Sequence, residues 1–378
     1  MTIAVEALSQ RIDRMASLLD EIETSAESPS RALVRLVHAL GEARVLEAAV
    51  SADAASFRSV AACAARERLG RISPLADLAF AMQGLGTFAL ALAGSEEQKS
   101  DWLRPAARGE KVAAFAITEP EAGSDLERIA TTARREGDEW VLDGEKTFIS
   151  NAGVADHYVL FARTGTGADV PFKRALTAFV LPADAENLDV EPLAAMGGHP
   201  LGTLRLSEVR LSDALRIGEE GEGLRLALAT LERFRPTVGA AAVGFALRAL
   251  EESIAHAKHR VQFGQPLAEQ PGIRMALAEM WADLAASREL VRVAAETADD
   301  PGATREQRAR SGSTAKLFAT EAAQRVIDRA VQIHGGRGVL ETSVVCRLYQ
   351  DVRSLRIYEG TTEIQKLLVG RDLVLRGP

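Results

Sequence analysis

The chain has 378 residues, 47% hydrophobic and 26% charged, which suits two or three ordinary globular domains and excludes an intrinsically disordered chain. A net charge of −8 disfavours nonspecific capture of nucleic-acid phosphates. Two distant cysteines, Cys63 and Cys346, and histidines that never fall at H-E-x-x-H spacing predict neither a disulfide framework nor a metal site.

No run approaches the roughly eighteen uninterrupted apolar residues of a membrane span. The start, Met1 to Glu6, lacks the basic flank and apolar run of a leader peptide. A soluble, cytoplasmic protein without a membrane segment is the expectation.

Residues 1–113 read as helix after helix, with apolar positions recurring every three or four residues and breaks at Ser28-Pro29-Ser30 and Ser73-Pro74. Gly94-Ser95-Glu96-Glu97-Gln98 looks like one helix end followed by a new N-cap. From Val112 to about Leu211, short β-rich runs alternate with turns. Trp140-Val141-Leu142 follows Glu136-Gly137-Asp138, and Tyr158–Ala162, Leu176–Leu181 and Thr203–Ser207 follow in turn. That spacing predicts a compact antiparallel sheet over 114–214, not βαβ units. After Gly218–Gly223 the chain returns to long amphipathic helices over 215–378, broken at Gly264-Gln265-Pro266, Asp300-Pro301-Gly302 and Gly335–Gly338, the pattern of a bundle.

Two motifs have plain readings. Gly84-Leu85-Gly86-Thr87-Phe88-Ala89 fits G-x-G-x-x-G/A, yet it lies in a helical block with no strand before it, so its glycines are read as allowing close packing. Ser313-x-x-Lys316 resembles a serine–lysine pair, but it stands in an Ala-rich helix with no companion motif and is read as a solvated or packed turn.

Ala116 to Asp125 differs in kind, because a strand-like run enters a polar loop whose hydroxyls and free amides can bind a heteroaromatic ring and phosphate oxygens. This segment resembles the first signature of the acyl-CoA dehydrogenase family of flavoproteins. Gly144–Ala152 is similar to the family's second flavin segment, and Arg260-Val261-Gln262-Phe263-Gly264 and Gln332–Gly338 match two more. Arg356–Gln365 looks like its catalytic segment. The five matches keep the family's order over nearly the whole chain. Phe148 and Ser150 stand where Trp and Thr are usual, and Pro271 where a Gln is usual.

The resemblance implies an α+β multidomain fold: an N-terminal helical domain, a middle antiparallel β domain and a C-terminal four-helix bundle. It implies FAD as cofactor and α,β-desaturation of an acyl-CoA thioester. Glu359 would remove the α-proton while flavin N5 accepts the β-hydride. Glu359 is the base the pattern leaves, since the family's other base position holds Phe234. Ser124, Arg235, Phe234 and Gly360 would line the substrate. Ile117, Thr118, Gly123, Ser124, Phe148, Ile149 and Ser150 would hold FAD from the sheet domain. Thr361, with Glu363 after it, would reach the diphosphate from the segment of the base, while Arg260, Phe263, Gln332, Gly335 and Gly336 would carry the diphosphate and adenosine from an adjacent subunit. The implied partners are an acyl-CoA, electron-transfer flavoprotein and further copies of the chain in a homotetramer. Alternatives on the same fold are an acyl-carrier-protein dehydrogenase, an oxidase, or a non-catalytic acyl-thioester-binding protein.

Overall fold

The computed structural model describes residues 2–165 and 170–377, so Met1, the first residue of the start read above as lacking leader features, lies outside them. In chain order the helices are α1 (Thr2–Arg14), α2 (Ala16–Ser25), α3 (Pro29–Glu42), α4 (Ser59–Ile72), α5 (Pro74–Leu85), α6 (Phe88–Ala93), α7 (Glu96–Gln98) and α8 (Arg104–Ala107). After the sheet come α9 (Gly223–His259), α10 (Pro271–Asp299), α11 (Arg305–His334), α12 (Val344–Leu355) and α13 (Thr362–Arg376). The chain divides into two compact units. One holds Met1–Ser17, Arg58–Asp77 and Glu232–Pro378; the other holds Leu18–Phe57 and Leu78–Leu231.

Local chemistry starts these helices where the sequence says. Ser28 caps α3 through the Arg31 N–H, with Pro29 at the first helical position. Ser95 with Gln98, and Thr304 with Gln307, form reciprocal capping boxes at α7 and α11.

The second unit is built on an eight-stranded sheet. Its strands are β1 (Ala113–Ala116), β2 (Thr132–Glu136), β3 (Glu139–Ser150), β4 (His157–Arg163), β5 (Leu176–Pro182), β6 (Leu188–Pro192), β7 (Leu201–Ser212) and β8 (Arg216–Ile217). The order is β6-β7-β3-β2-β4-β5-β8, with β1 beside β4. Gly137, at φ +63°, takes the first central position of the β2–β3 hairpin. The sheet is mixed rather than purely antiparallel, because β1 and β2 both run parallel to β4. Such pairs need a long connection between partners, which local turn signals do not reveal. Trp140, Tyr158, Phe161 and Phe179 are buried in its core.

The helical unit joins α1 and α4 from the start of the chain with α9 from Glu232 onward and α10 to α13. The α9–α13 bundle packs around Val238, Phe245, Leu284, Val291, Ile327 and Leu348. The two compact units therefore cut across the linear helix–sheet–helix order. Divisions fall inside α2, α5 and α9, and the first turn of α5 supplies Asp77 to the helical unit.

Pro74–Ala93 reaches the length and mean hydropathy of a membrane span, but Asp77 and Gln83 interrupt its apolar run and 83% of the window is buried inside the protein. Its run is broken at Gly86, where a Cβ would lie 2.7 Å from the Ala114 amide nitrogen. The second glycine of the false dinucleotide motif thus lets a helix end approach a strand.

Candidate active site

In the sheet unit the two flavin-like segments are fastened to each other. Lys146, wholly buried in β3, donates to Glu119 at 2.7 Å and to the Ile117 carbonyl at 3.2 Å. Glu119 also accepts from the amides of Ala130 and Thr131 at 2.6 and 3.0 Å, and the Thr147 amide donates to the Thr118 carbonyl at 2.9 Å. Burial alone would raise the Glu119 carboxyl, but Lys146 and the donated N–H bonds hold it below its ordinary value. Burial pulls Lys146 down to about 8 against the opposing pull of Glu119. Sequence reading passed over both residues, although Lys146 lies within a quoted motif.

This anchoring ends in a register shift between Lys146 and Ile149. Phe148 sits in it at φ +55°, a left-handed conformation costly for an aromatic residue, and its ring is 64% exposed. Ser150 is half-buried, and Gly123 and Ser124 are exposed in the preceding loop. Ile117 and Ile149 point their side chains into the core, so they have only main-chain groups to offer a ligand.

The helical unit brings together two further segments at the ends of α9 and α11. The His256 and His334 rings stack with centroids 4.4 Å apart. Arg260 and Phe263 follow the first ring; Gly335 and Gly336 follow the second, with Gln332 just before it, and all five are exposed. Phe263 is 95% exposed, again at positive φ. Gly335 closes α11 at φ +58°, and a Cβ on Gly335 or Gly336 would meet nothing within 4 Å.

The 358–361 segment carries the reactive group. Glu359 has φ +53° and Gly360 φ +88°, and Thr361 then caps α13 through the Ile364 amide. The Glu359 Oε2 atom is buried without a hydrogen-bond partner. Burial holds its carboxyl above the ordinary value against Arg66, Lys316 and Arg235, which favour the charged form. Arg235, on α9, is buried. Its Nη1 donates to Ser313 Oγ at 3.4 Å, and its Nε has no partner. Phe234 beside it is fully buried, and Glu363 is exposed in the first turn of α13.

Three groups around this segment were missed or dismissed in the sequence: the Arg66–Asp77 ion pair and Lys316, all fully or nearly fully buried. A charged residue in an amphipathic helix ordinarily reads as solvated, and only the tertiary packing overrides that.

These features fit the FAD that the sequence resemblance implies. The sheet unit supplies an exposed ring on an unfavourable backbone and the exposed Ser124 hydroxyl, and the helical unit supplies open glycine amides. Family models match the whole length in order: the acyl-CoA dehydrogenase N-terminal domain over 7–110, the middle domain over 114–209 and the C-terminal domain over 221–374. The chain is 38% identical over 313 residues to a 3-(aryl)acrylate reductase of Clostridium sporogenes, covering 82% of this chain and 81% of that one. It is 34% identical over 381 residues to the probable acyl-CoA dehydrogenase FadE25 of Mycobacterium tuberculosis, covering 99% and 94%. A Bacillus anthracis acyl-CoA dehydrogenase solved in complex with FAD superposes with a TM-score of 0.86 at 29% identity, covering 99% of this chain and 68% of that one. Three models of one family in sequence, and a relative aligned end to end, place the chain in the acyl-CoA dehydrogenase family of oxidoreductases.

Proposed function

We propose that this protein is a FAD-dependent acyl-CoA dehydrogenase in which Glu359 takes the α-proton of an acyl thioester. The observation that carries the reading is the buried Glu359 oxygen with no partner, on a segment whose backbone is held in the left-handed region. Native structures rarely leave a buried carboxylate oxygen unsatisfied without a use for it. FAD, when bound, supplies the acceptor for the β-hydrogen and its electron pair.

The chain's own groups do the rest. Arg66, Lys316 and Arg235 favour the anionic base while burial keeps its proton affinity above that of a free carboxylate. The main-chain N–H of Glu359 donates to the thioester oxygen, where negative charge grows as the α-proton leaves. Arg235 and Gly360 shape the segment around the thioester, and Phe234 limits the space for the acyl chain. Phe148, with Thr118, Gly123 and Ser150, takes the flavin end of FAD. Thr361 and Glu363 meet the diphosphate from the segment of the base, and Arg260, Phe263, Gln332, Gly335 and Gly336 take the diphosphate and adenosine end from an adjacent copy of the chain. Electron-transfer flavoprotein is the proposed acceptor and the cytoplasm the proposed location. A homotetramer would cover the exposed Met275, Trp281, Leu367 and Leu375 of the bundle helices.

A second reading is reduction of an enoyl thioester by the same groups in reverse. The 3-(aryl)acrylate reductase relative favours it, and a carboxyl of raised proton affinity serves as well to return a proton. The test is stopped-flow bleaching of the flavin across a panel of acyl-CoAs, in parent and Glu359→Gln protein. Glutamine keeps size and hydrogen bonding but takes no proton, so reduction should slow by about 10²–10⁴ while FAD stays bound. A Glu359→Gln protein that bleaches at the parent rate would end the assignment.

A further inference from the structure

Lys316 stands one turn beyond Ser313 in α11, where Ala315, Ala319, Ala322 and Ala323 are buried in the same helix. Nothing in that pattern calls for an ammonium group, yet Lys316 is only 1% exposed. Its Nζ donates to the Tyr358 carbonyl at 2.7 Å and also to the Gly360 carbonyl. Those two carbonyls flank Glu359. Gln365, from the first turn of α13, adds a second donor to the Gly360 carbonyl at 2.9 Å. On the preceding turn of α11, Ser313 accepts from Arg235. One face of α11 therefore holds both the arginine and the base segment, although the sequence shows it only as a false nucleophile motif.

We propose that Lys316 is the positioning residue for the base: it grips the main-chain carbonyls on both sides of Glu359, fixing the left-handed turn, and its charge favours the carboxylate form. This rests on reading Glu359 as the base. A purely space-filling role would be served better by an apolar side chain, since burying an ammonium is costly unless its donors and charge are used. Both are used here. The two carbonyls take its hydrogens, and the Glu359 carboxylate favours its charged form. Burial still draws the ammonium down to about 8.

The charged groups facing Glu359 are Arg66 from α4, Asp77 from α5, Arg235 from α9 and Lys316 from α11. Removing Lys316 leaves Arg66 partly offset by Asp77, and Arg235 as the remaining cation. The proton affinity of Glu359 should then rise, and the acid limb of the reaction should move to higher pH.

The experiment uses FAD-loaded Lys316→Met and Lys316→Gln proteins with the acyl-CoA that bleaches the parent fastest. Lys316→Met should slow flavin reduction by about 10²-fold and shift the acid-limb midpoint upward by about one pH unit. The acyl-CoA dissociation constant should change far less than the rate. Hydrogen–deuterium exchange of the 357–365 amides, read on the protein without substrate, should quicken. Lys316→Gln keeps an amide donor without the charge, so it should show the midpoint shift with a smaller loss of rate. That variant carries the test if the Met protein does not fold. A parent-like rate, midpoint and exchange in either variant overturns the proposal. Glu359→Gln run alongside separates the two ideas. If it bleaches normally, the base reading has failed; if it is inactive while Lys316→Met behaves as the parent, only the positioning role has.

Discussion

Arg66 and Asp77 meet as a two-pronged ion pair, Nε to Oδ1 at 2.8 Å and Nη2 to Oδ2 at 2.7 Å, with both side chains buried. The remaining guanidinium arm donates to Thr237 Oγ1 at 3.0 Å, and that hydroxyl donates to the Phe234 carbonyl at 2.7 Å. Burial works against the Arg66 charge, but Asp77 prevails and keeps it protonated. The relay ties α4 and the first turn of α5 to α9 next to Pro236, where the proline ring has removed one helical N–H.

Asp77→Ala should therefore be severely destabilising, by about 3–5 kcal/mol, because it strands a buried guanidinium. The double variant Arg66→Met/Asp77→Leu should recover most of that loss, since it removes both charges and refills the space. Urea unfolding of the single and double variants checks the pair. Equal losses in both would mean that packing, not charge, holds this region.

Acid should weaken the sheet unit through His157. The ring is fully buried against Trp102, and burial, with a lesser effect from Lys111, draws its pKa from 6.5 to about 4. Between those values the unfolded chain binds the proton and the folded chain does not. Stability is thus complete above pH 6.5 and falls as pH drops towards 4, by about 3 kcal/mol in all. Urea midpoints at pH 7, 5.5 and 4.5 should show this slope, and His157→Leu should flatten it.

Phe148 predicts opposite signs for stability and cofactor binding. Phe148→Gly removes the left-handed penalty and should stabilise the FAD-free protein by about 1 kcal/mol. It also removes the exposed ring, so FAD should dissociate more readily. Phe148→Trp should keep FAD, whereas Phe148→Asp should lose it by setting a charge against an apolar ring face. Thermal unfolding with and without FAD, together with flavin fluorescence, reads both effects. A Phe148→Asp protein that retains tightly bound flavin would show the segment lies elsewhere.

Gly360→Ala should damage the base segment without touching its carboxylate. The new Cβ would sit 2.6 Å from Gln365 Nε2, at a φ of +88° that side chains rarely adopt. Displacing Gln365 removes one of the donors to the Gly360 carbonyl. Flavin reduction should slow by about 10-fold or more, since about 1–2 kcal/mol of strain converts to roughly that factor. Single-turnover kinetics at saturating acyl-CoA isolates this step from binding.

Sequence alone determined the parts of this protein that local chemistry writes. Ser28-Pro29 and Ser95–Gln98 announce helix starts, and Gly137 announces a hairpin. The Gly335-Gly336 turn and the Glu359-Gly360-Thr361 run are recognisable without any partner in view. What it could not decide were groups whose partners come from far along the chain. Arg66 reaches Thr237, Lys316 reaches the carbonyls around Glu359, and Lys146 reaches Glu119. Each of these charged residues sits in an otherwise regular helix or strand, and its default reading is a solvated face. The tertiary structure reversed that default because burial removes water from a charge, and then only a specific counterion or carbonyl can replace it. The parallel pairing of β1 with β4 and the division of the N-terminal helices between two compact units arose in the same way. Both depend on which distant surfaces are buried together, and turn signals and periodicity report only neighbours.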